Sequence, residues 1–309
     1  MAVYTKVSER DLAELLARYD IGAAMSLEAI AEGVENSNFH LTTTGGRFVL
    51  TLYERRVAEV DLPFFLGLME HAAARGVPAP SPVADRSGAV LQRVADRPAA
   101  IVRHLTGSWP RVPTPAHAHA AGAALAKLHA ATADFTPMRE NALGLISWRP
   151  LAERCGAGLD EIAPGLRAEI AAELAALEAD WPHTLPRATI HADLFPDNVL
   201  FEGGSVTGVI DFYFACTDVR AYDLAVMLGA WAYSADGETR LPEIEAALLQ
   251  GYGPLPAAEA AALPTLARGA ALRFLLTRSY DWLNTPADAA VTRKDPLAYR
   301  RRLAHLRAR

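Results

Sequence analysis

Residues 189–218 constrain the fold more than any other part of the sequence, because they contain the pattern of a tight β-hairpin. Two apolar runs, residues 199–201 and 206–210, flank the pair Gly203-Gly204. Two glycines between such runs are typical of a hairpin turn, since glycine readily adopts the positive φ angles that this turn requires. We therefore predict two antiparallel strands joined at Gly203-Gly204.

This hairpin would bring three oxygen-bearing side chains together. If the turn centres on the glycine pair, Asn198 at the start of the first strand lies opposite Asp211 at the end of the second, or within a residue or two of it. Facing side chains across such a ladder are about 5 Å apart. Asp193 precedes Asn198 by five residues on the same loop. One amide and two carboxylates are thus predicted to share a small volume.

Such a set of oxygens suits phosphoryl transfer to an alcohol. Mg²⁺ prefers oxygen ligands and keeps waters and substrate phosphates, so Asn198 and Asp211 would suffice as its protein ligands. Asp193 would orient the acceptor hydroxyl and receive its proton. The order H-x-D-x-x-x-x-N, hairpin, Ile-Asp-Phe matches the catalytic loop and metal-binding Asp of protein kinases. The competing interpretation is a surface turn before a structural hairpin.

The same residues resemble the aminoglycoside-phosphotransferase-like kinases, whose loop is typically H-G-D-x-x-x-x-N. The resemblance implies that Asp193 is the catalytic residue and that Asn198 and Asp211 are the metal ligands. Ala192 replaces the usual glycine of the loop, a change between small residues that we expect to cost little. The resemblance also implies two supporting residues, His191 and Asp223, of which the second braces the loop through backbone donors.

Several longer segments resemble, more narrowly, the homoserine kinases built on this fold. These segments are MAVYTKVSERDL, EGVENSNFHLTT, RFVLTLYERRV, DLPFFLGLMEHAAARGVPAP and HADLFPDNVLF. The resemblance covers nearly the whole chain. It implies ATP and Mg²⁺ as cofactors, L-homoserine as the small-molecule substrate, and O-phospho-L-homoserine, used in threonine biosynthesis, as the product.

The expected fold class is α+β, a two-lobed protein-kinase-like fold with a small β-rich N-lobe and a larger helical C-lobe. Residues 1–105 are predicted to form the nucleotide-binding lobe, with the adenine at the junction after Leu105. Its predicted elements are a helix capped by Ser8, strands at 27–34, 39–44 and 48–53, a helix at 61–76, and strands near 89–93 and 99–104. Residues 106–309 are predicted to form the helical catalytic and substrate lobe, with a loop around Trp148-Arg149-Pro150.

The usual clamp on the nucleotide phosphates is missing. The sequence has no G-x-G-x-x-G, and Thr51 occupies the strand position where these kinases commonly carry a lysine. The resemblance places the nucleotide phosphates beside Asn36 and Ser37. Arg55 or Arg56 is the expected substitute for the lysine, because guanidinium binds phosphate well. Two solvated arginines at a strand end, or Lys6 folding over, are the alternatives.

The helical part contains further polar candidates. His117, His119 and His129 point in different directions on one predicted helix, which excludes a shared metal ion, and a packing role is expected for His129. An amino-acid acceptor needs binders for its carboxylate and ammonium groups. Candidates are Arg273, Arg278, Tyr280 and Asp281, all of which could instead be solvated or paired, and Tyr213 and Trp231, which could line the acceptor pocket or belong to the core.

Composition excludes several functional classes. The net charge is −6 and no run of Lys or Arg forms a stripe, so we expect no nucleic-acid partner. No apolar stretch is long enough for a membrane span, and none resembles a signal peptide. Cys155 and Cys216 lack metal or redox spacing, which favours the cytoplasm. The oligomeric state is not readable from the sequence.

Three other functions remain open at this point. The first is a kinase of another hydroxylated metabolite such as choline, an aminoglycoside or a sugar-like compound. The second is a nucleotide-binding pseudokinase, suggested by Thr51. The third is a metal-dependent hydrolase that uses His191 and Asp193, although further ligands in motif spacing are missing.

Overall fold

An antiparallel five-stranded sheet forms the first part of the chain. The computed structural model describes residues 5–30, 36–54, 57–285 and 293–308. The strands lie in the order β1-β2-β3-β5-β4. Their bounds are β1 Ala24–Ala29, β2 Ser37–Thr43, β3 Gly46–Leu52, β4 Gln92–Val94 and β5 Arg97–Arg103.

The two faces of β3 have different partners. Phe48, Leu50 and Leu52 alternate along the strand and pack in a core cluster with helix α1, Glu9–Leu16. Ser8 caps that helix in a reciprocal pair of hydrogen bonds with Asp11, as expected from the sequence. The period of two places Thr51 and Tyr53 on the opposite face, and Tyr53 belongs to a second core cluster.

Helix α2, Leu62–Ala74, connects the sheet to the helical part of the chain. Its buried side chains, including Phe64 and Phe65, belong to the same core cluster as Leu194, Phe212 and Trp231. The apolar core is therefore continuous across residue 105, and a lobe boundary at that residue stays a prediction.

Eight further helices make up most of the remaining described residues. Their bounds are α3 Pro115–Ala131, α4 Leu145–Cys155, α5 Gly158–Ile162, α6 Leu166–Asp180, α7 Arg220–Trp231, α8 Pro242–Tyr252, α9 Ala257–Asn284 and α10 Leu297–Arg307. The long helix α9 contacts five of the others, α4, α5, α6, α7 and α10. Within the described ranges, no helix combines the length and apolar character needed to cross a bilayer.

Two small ribbons lie between α6 and α7. Strands β6, Arg187–Ile190, and β9, Cys216–Val219, pair with each other, and so do β7, Val199–Glu202, and β8, Ser205–Val209. The second ribbon is the predicted hairpin, and its turn residues Gly203 and Gly204 have φ angles of 55° and 87°. The β6–β9 ribbon was not predicted. Its strands flank the hairpin in sequence, because β6 ends at residue 190 and β9 begins at residue 216.

The predicted loop around Trp148 is wrong, because these residues belong to α4. The Trp148 side chain is fully buried, and its Nε1 donates a hydrogen bond to the carbonyl of Leu143 at 2.7 Å. Leu151 and Cys155 join it in the core. Burial of this face stabilises the helix despite the internal Pro150.

Candidate active site

The fully buried carboxylate of Asp223 binds the backbone of the loop formed by residues 191–198. Both oxygens of Asp223 are used, since the backbone N–H groups of His191 and Ala192 each donate to it at 2.7 Å. Asp223 lies in the first turn of α7, where the helix dipole favours a negative charge. These bonds fix the backbone conformation at the start of the loop, directly after β6.

Ala192 adopts a left-handed backbone conformation with φ of 62°. A side chain in this region costs roughly 1–2 kcal/mol relative to glycine. The conformation is fixed because Asp223 binds the Ala192 N–H group and Arg273 donates to the Ala192 carbonyl at 2.5 Å. Replacing glycine by alanine at this position thus carries a strain that the sequence did not reveal.

His129 completes the surroundings of Asp223. Its Nε2 lies 2.9 Å from the Asp223 carboxylate, and its Nδ1 lies 2.9 Å from the Tyr252 hydroxyl. Burial raises the pKa of Asp223, but the bonds and charge of His129 and His191 lower it on balance. The sequence-based expectation of a mere packing role for His129 is corrected by its contact with this buried carboxylate.

His191 connects the loop to the far strand of the hairpin. Its Nε2 lies 3.0 Å from the carbonyl of Ile210, and its Nδ1 lies 3.3 Å from the backbone N–H of Asp193. A carbonyl only accepts and an N–H only donates, so the ring is neutral with its proton on Nε2. Burial lowers the pKa of His191 and favours that neutral form. One ring therefore fixes Asp193 relative to the residue before Asp211.

Asn198 and Asp193 are in direct contact. The Asn198 Nδ2 donates to the backbone carbonyl of Asp193 at 2.7 Å and lies 3.5 Å from the Asp193 carboxylate. Across the hairpin, the N–H of Ile210 donates to the carbonyl of Asn198 at 3.0 Å, so Asp211 lies one residue beyond the facing position. Asp211 is half-buried and left-handed, with φ of 64°.

Asp193 lies in an environment with opposing electrostatic effects. Burial raises the pKa of its carboxyl, whereas Arg273, His191 and Lys294 lower it in part. The Arg273 Nη2 is 3.9 Å from Asp193 Oδ1, and the Arg273 side chain is 2% exposed. Arg273 therefore supports the loop from α9.

The oxygens of this site fit a hard divalent cation. The Asp193 carbonyl can only accept, so the Asn198 amide must turn its NH₂ group toward it and its Oδ1 away. No described residue donates a hydrogen bond to that Oδ1. Among the described residues no group of three or more His, Cys, Asp or Glu is arranged for a metal. A site of one amide oxygen and one carboxylate suits Mg²⁺, which keeps waters and substrate phosphates as its other ligands.

The predicted phosphate-binding residues lie at the start of β2. Asn36 accepts a hydrogen bond from the Glu54 N–H at 3.3 Å, and Ser37 donates to the Glu54 carboxylate at 2.8 Å. Ser37 also accepts from the Thr5 N–H at 3.1 Å, which places the exposed Lys6 beside this segment. The bond to Glu54 uses only the Oδ1 of Asn36, so its Nδ2 group and its backbone N–H are the donors that a phosphate could use.

The other residues considered for the phosphates have different positions. Thr51 is buried and donates to Asn38 Oδ1 at 2.8 Å, so this polar pair occupies the place of the lysine. Arg55 and Arg56 lie outside the described residues.

An ion pair that the sequence did not reveal joins α2 to the segment after Asp211. The Arg139 Nε lies 2.7 Å from the Asp61 carboxylate, and its Nη1 donates to the Ala215 carbonyl at 3.2 Å. Because these partners are distant in sequence, no local pattern could have indicated them.

The linker after β5 pairs with the hairpin. Ser108 and Phe201 exchange two backbone hydrogen bonds, at 3.1 and 2.9 Å. Gly107 has a φ of 101°, and a Cβ at this position would lie 2.8 Å from the Phe201 carbonyl oxygen. The junction expected to bind adenine is thus anchored to the ribbon that positions Asn198.

A family model described as the phosphotransferase enzyme family matches residues 26–264, a span that contains the sheet, the 191–198 loop and the hairpin. The chain belongs to the phosphotransferase enzyme family. The prediction of an enzyme of this class is confirmed.

Full-length relatives of this phosphotransferase are named homoserine kinases. The protein from Rhodospirillum rubrum is 55% identical over 310 residues, which cover 100% of this chain and 97% of the relative. The protein from Acidiphilium cryptum is 56% identical over 312 residues, which cover 100% of this chain and 98% of the relative. The predicted resemblance to homoserine kinases is therefore confirmed.

The fold of this phosphotransferase also matches solved structures. An amicoumacin kinase in complex with AMP-PNP and Ca²⁺ superposes with a TM-score of 0.71 at 15% identity, covering 97% of this chain and 94% of that one. At this identity the likeness shows the fold alone. The predicted α+β, protein-kinase-like fold is confirmed.

Proposed function

We propose that this phosphotransferase transfers the γ-phosphoryl group of ATP to the hydroxyl group of L-homoserine. The product, O-phospho-L-homoserine, would serve threonine biosynthesis. The observation that carries this proposal is the 55–56% identity to homoserine kinases over essentially the full length of the chain. The contact between Asn198 and Asp193 supports it, because it gathers the groups that phosphoryl transfer to an alcohol needs.

Asp193 is the proposed catalytic residue. Its carboxylate would orient the hydroxyl of homoserine and receive its proton while the oxygen attacks the γ-phosphorus and the bond from that phosphorus to the bridging oxygen of ADP breaks. A carboxyl whose pKa is raised by burial accepts a proton more readily than an exposed one. Arg273 keeps the loop, and hence the carboxylate, in place.

Asn198 and Asp211 are the proposed ligands of Mg²⁺. When bound, the ion would neutralise the negative charge that develops on the phosphates during transfer. His191 and Asp223 are the proposed supporting residues, since both bind the backbone of the 191–198 loop. Contacts to the nucleotide phosphates are proposed for Asn36, Ser37, Arg55 and Arg56.

We also propose that the chain functions in the cytoplasm. Cys155 and Cys216 are free and buried, and burial raises the pKa of both thiols, for Cys155 to about 11. Thiols of this kind suit a reducing compartment.

Release of ADP from ATP tests the function. The purified chain is assayed with L-homoserine, choline and an aminoglycoside, each with Mg²⁺ and with a chelator. We expect turnover with homoserine alone, and none after chelation. Turnover with choline or the aminoglycoside instead would reassign the acceptor. A melting temperature raised by Mg-ATP without turnover of any acceptor would identify a pseudokinase.

A further inference from the structure

Two cationic side chains near Asp193 have no carboxylate partner among the described residues. The first, Arg278 on α9, is half-buried. Its guanidinium lies 4.6 Å from the centroid of the Tyr299 ring, and its Nη1 donates to the Asp295 carbonyl at 3.2 Å. These contacts orient the group but do not neutralise it.

The second cation is Lys294, in the segment before α10. It is exposed, and its Nζ lies 5.7 Å from the centroid of the Phe195 ring, two residues after Asp193. The next residue is Asp295, whose carbonyl binds Arg278, so one short segment links the two cations.

A row of aromatic rings connects both cations to the 191–198 loop. Phe195 lies 5.0 Å from Phe274, and Phe274 stacks on Tyr299 at 5.0 Å between centroids. Lys294 lies over the first ring and Arg278 over the last.

Electrostatics agrees with this placement. Burial lowers the pKa of Arg278, and Asp193 is among the charges that oppose this effect. Lys294 in turn is among the cations that lower the pKa of Asp193. The proposed catalytic carboxylate thus shares its surroundings with these two positive groups as well as with Arg273.

Three other arginines in the helical part differ, because they lie against carboxylates. Arg268 and Arg307 both pair with Glu173, at 2.8 and 2.6 Å. Arg300 pairs with Glu169 at 2.8 Å. A half-buried cation without such a partner is unfavourable, and an anionic ligand would offset that cost.

We propose that Arg278 and Lys294 bind the carboxylate of the acceptor, and so select a small amino-acid alcohol over a cationic alcohol. This inference rests on the proposed function, because homoserine has a carboxylate near the hydroxyl that is phosphorylated. A guanidinium forms paired hydrogen bonds with a carboxylate, and the lysine adds a second charge. Alcohols that carry positive charge alone, such as choline, would be repelled by the same two groups.

Steady-state kinetics on Arg278→Gln, Arg278→Lys and Lys294→Gln tests the inference. The acceptors are L-homoserine and aminopropanol, which is homoserine without its carboxylate. We expect Arg278→Gln to raise the KM for homoserine at least about tenfold, with a smaller increase in Arg278→Lys. The KM for ATP should stay unchanged, and the KM for aminopropanol should stay unchanged or fall, because the loss of one cation relieves the repulsion of its ammonium group. Arg300→Gln, which removes a paired arginine from α10, is the control and should behave as wild type.

Binding of α-aminobutyrate, which has no hydroxyl to phosphorylate, gives a readout that needs no turnover. Calorimetry in the presence of Mg-ADP should show binding to the wild type and loss of it in Arg278→Gln and in the surface variant Lys294→Gln. Unchanged binding in both variants, or equal losses for homoserine and aminopropanol, would overturn the inference and leave the homoserine kinase proposal intact. Binding that depends on Arg278, without any turnover of homoserine, would reject the proposed function and keep the inference.

Discussion

The Nε2 of His129 and the Oδ2 of Asp223 lie 2.9 Å apart, and the same oxygen accepts the backbone N–H of His191 at 2.7 Å. Helices α3 and α7 and the 191–198 loop therefore meet at one fully buried carboxylate. Since that carboxylate has no access to water, the loss of any one donor leaves an acceptor oxygen without a hydrogen bond that water could replace.

His129→Leu should therefore destabilise the protein and impair turnover. Removing the His129 donor leaves a buried carboxylate oxygen without one of its hydrogen bonds, which costs roughly 1–3 kcal/mol, and the loop should lose its fixed conformation. Urea denaturation and kcat are the measurements. His119→Leu changes an exposed histidine of the same helix and should leave both near wild type. Equal behaviour of the two variants would show that Asp223 does not depend on His129.

Asp193→Asn should abolish turnover while the protein still binds ATP. Loss of a proton acceptor lowers the rate by about 10²–10⁴-fold, whereas the nucleotide makes its contacts elsewhere. Steady-state kinetics and ATP titration separate the two effects. Asp197→Asn removes an exposed carboxylate from the same loop and serves as the control. Wild-type turnover in Asp193→Asn would remove this residue from its proposed role.

Asp211→Asn should weaken the use of Mg²⁺. An amide is a poorer ligand than a carboxylate for this cation, so we expect the Mg²⁺ concentration for half-maximal rate to rise at least about tenfold. The measurement is a Mg²⁺ titration of ADP release after chelation. Asp180→Asn, at an exposed position on α6, should titrate as wild type. An unaltered titration of Asp211→Asn would assign the metal to other groups.

Ala192→Gly should stabilise the protein. The free energy gained by relieving the left-handed strain exceeds the cost of the extra conformational entropy that glycine gives the unfolded chain. The free energy of unfolding should therefore rise by about 0.5 kcal/mol. The same substitution at the exposed end of α1, Ala17→Gly, should have the opposite sign, because Ala17 is right-handed with φ of −57°. Urea denaturation of both variants tests the difference. A loss of stability in both would show that the Ala192 backbone is not strained.

Stability should fall when the pH is lowered below the ordinary pKa of histidine, because of His191. Burial lowers the pKa of His191 from 6.5, so as the pH falls the unfolded chain binds a proton before the folded chain does. The contribution of neutral His191 to the free energy of unfolding is therefore complete above pH 6.5. It is lost as the pH falls through the lowered pKa of the folded state. His191→Gln keeps a donor near the Ile210 carbonyl but does not titrate. The excess unfolding free energy of wild type over this variant should shrink between about pH 7.5 and pH 5.5 in urea titrations. A constant difference would contradict the prediction.

Local sequence carried much of the information about the candidate site. The hairpin follows from Gly203-Gly204, and the spacing of Asp193, Asn198 and Asp211 follows from the hairpin. The unpredicted β6–β9 ribbon consists of two strands of four residues each, whose pairing depends on a partner beyond the hairpin. Runs this short have no distinctive period.

Long-range contacts account for the other differences. His129 lies 94 residues from Asp223, and Arg273 lies 81 residues from the Ala192 carbonyl that it binds. Their side chains gain these roles when α3 and α9 pack beside the loop. Helix α4 was likewise missed because burial of Trp148 in the tertiary structure outweighs the local effect of Pro150.

The two hydrogen bonds between Ser108 and Phe201 join the linker to the hairpin through backbone atoms alone. These bonds do not depend on the identity of the side chains at the two positions, but they do require the space that Gly107 leaves open. The side chains of the linker can therefore vary without separating the sheet from the hairpin. A proline at either paired position, in contrast, removes a backbone donor and breaks one of the two hydrogen bonds.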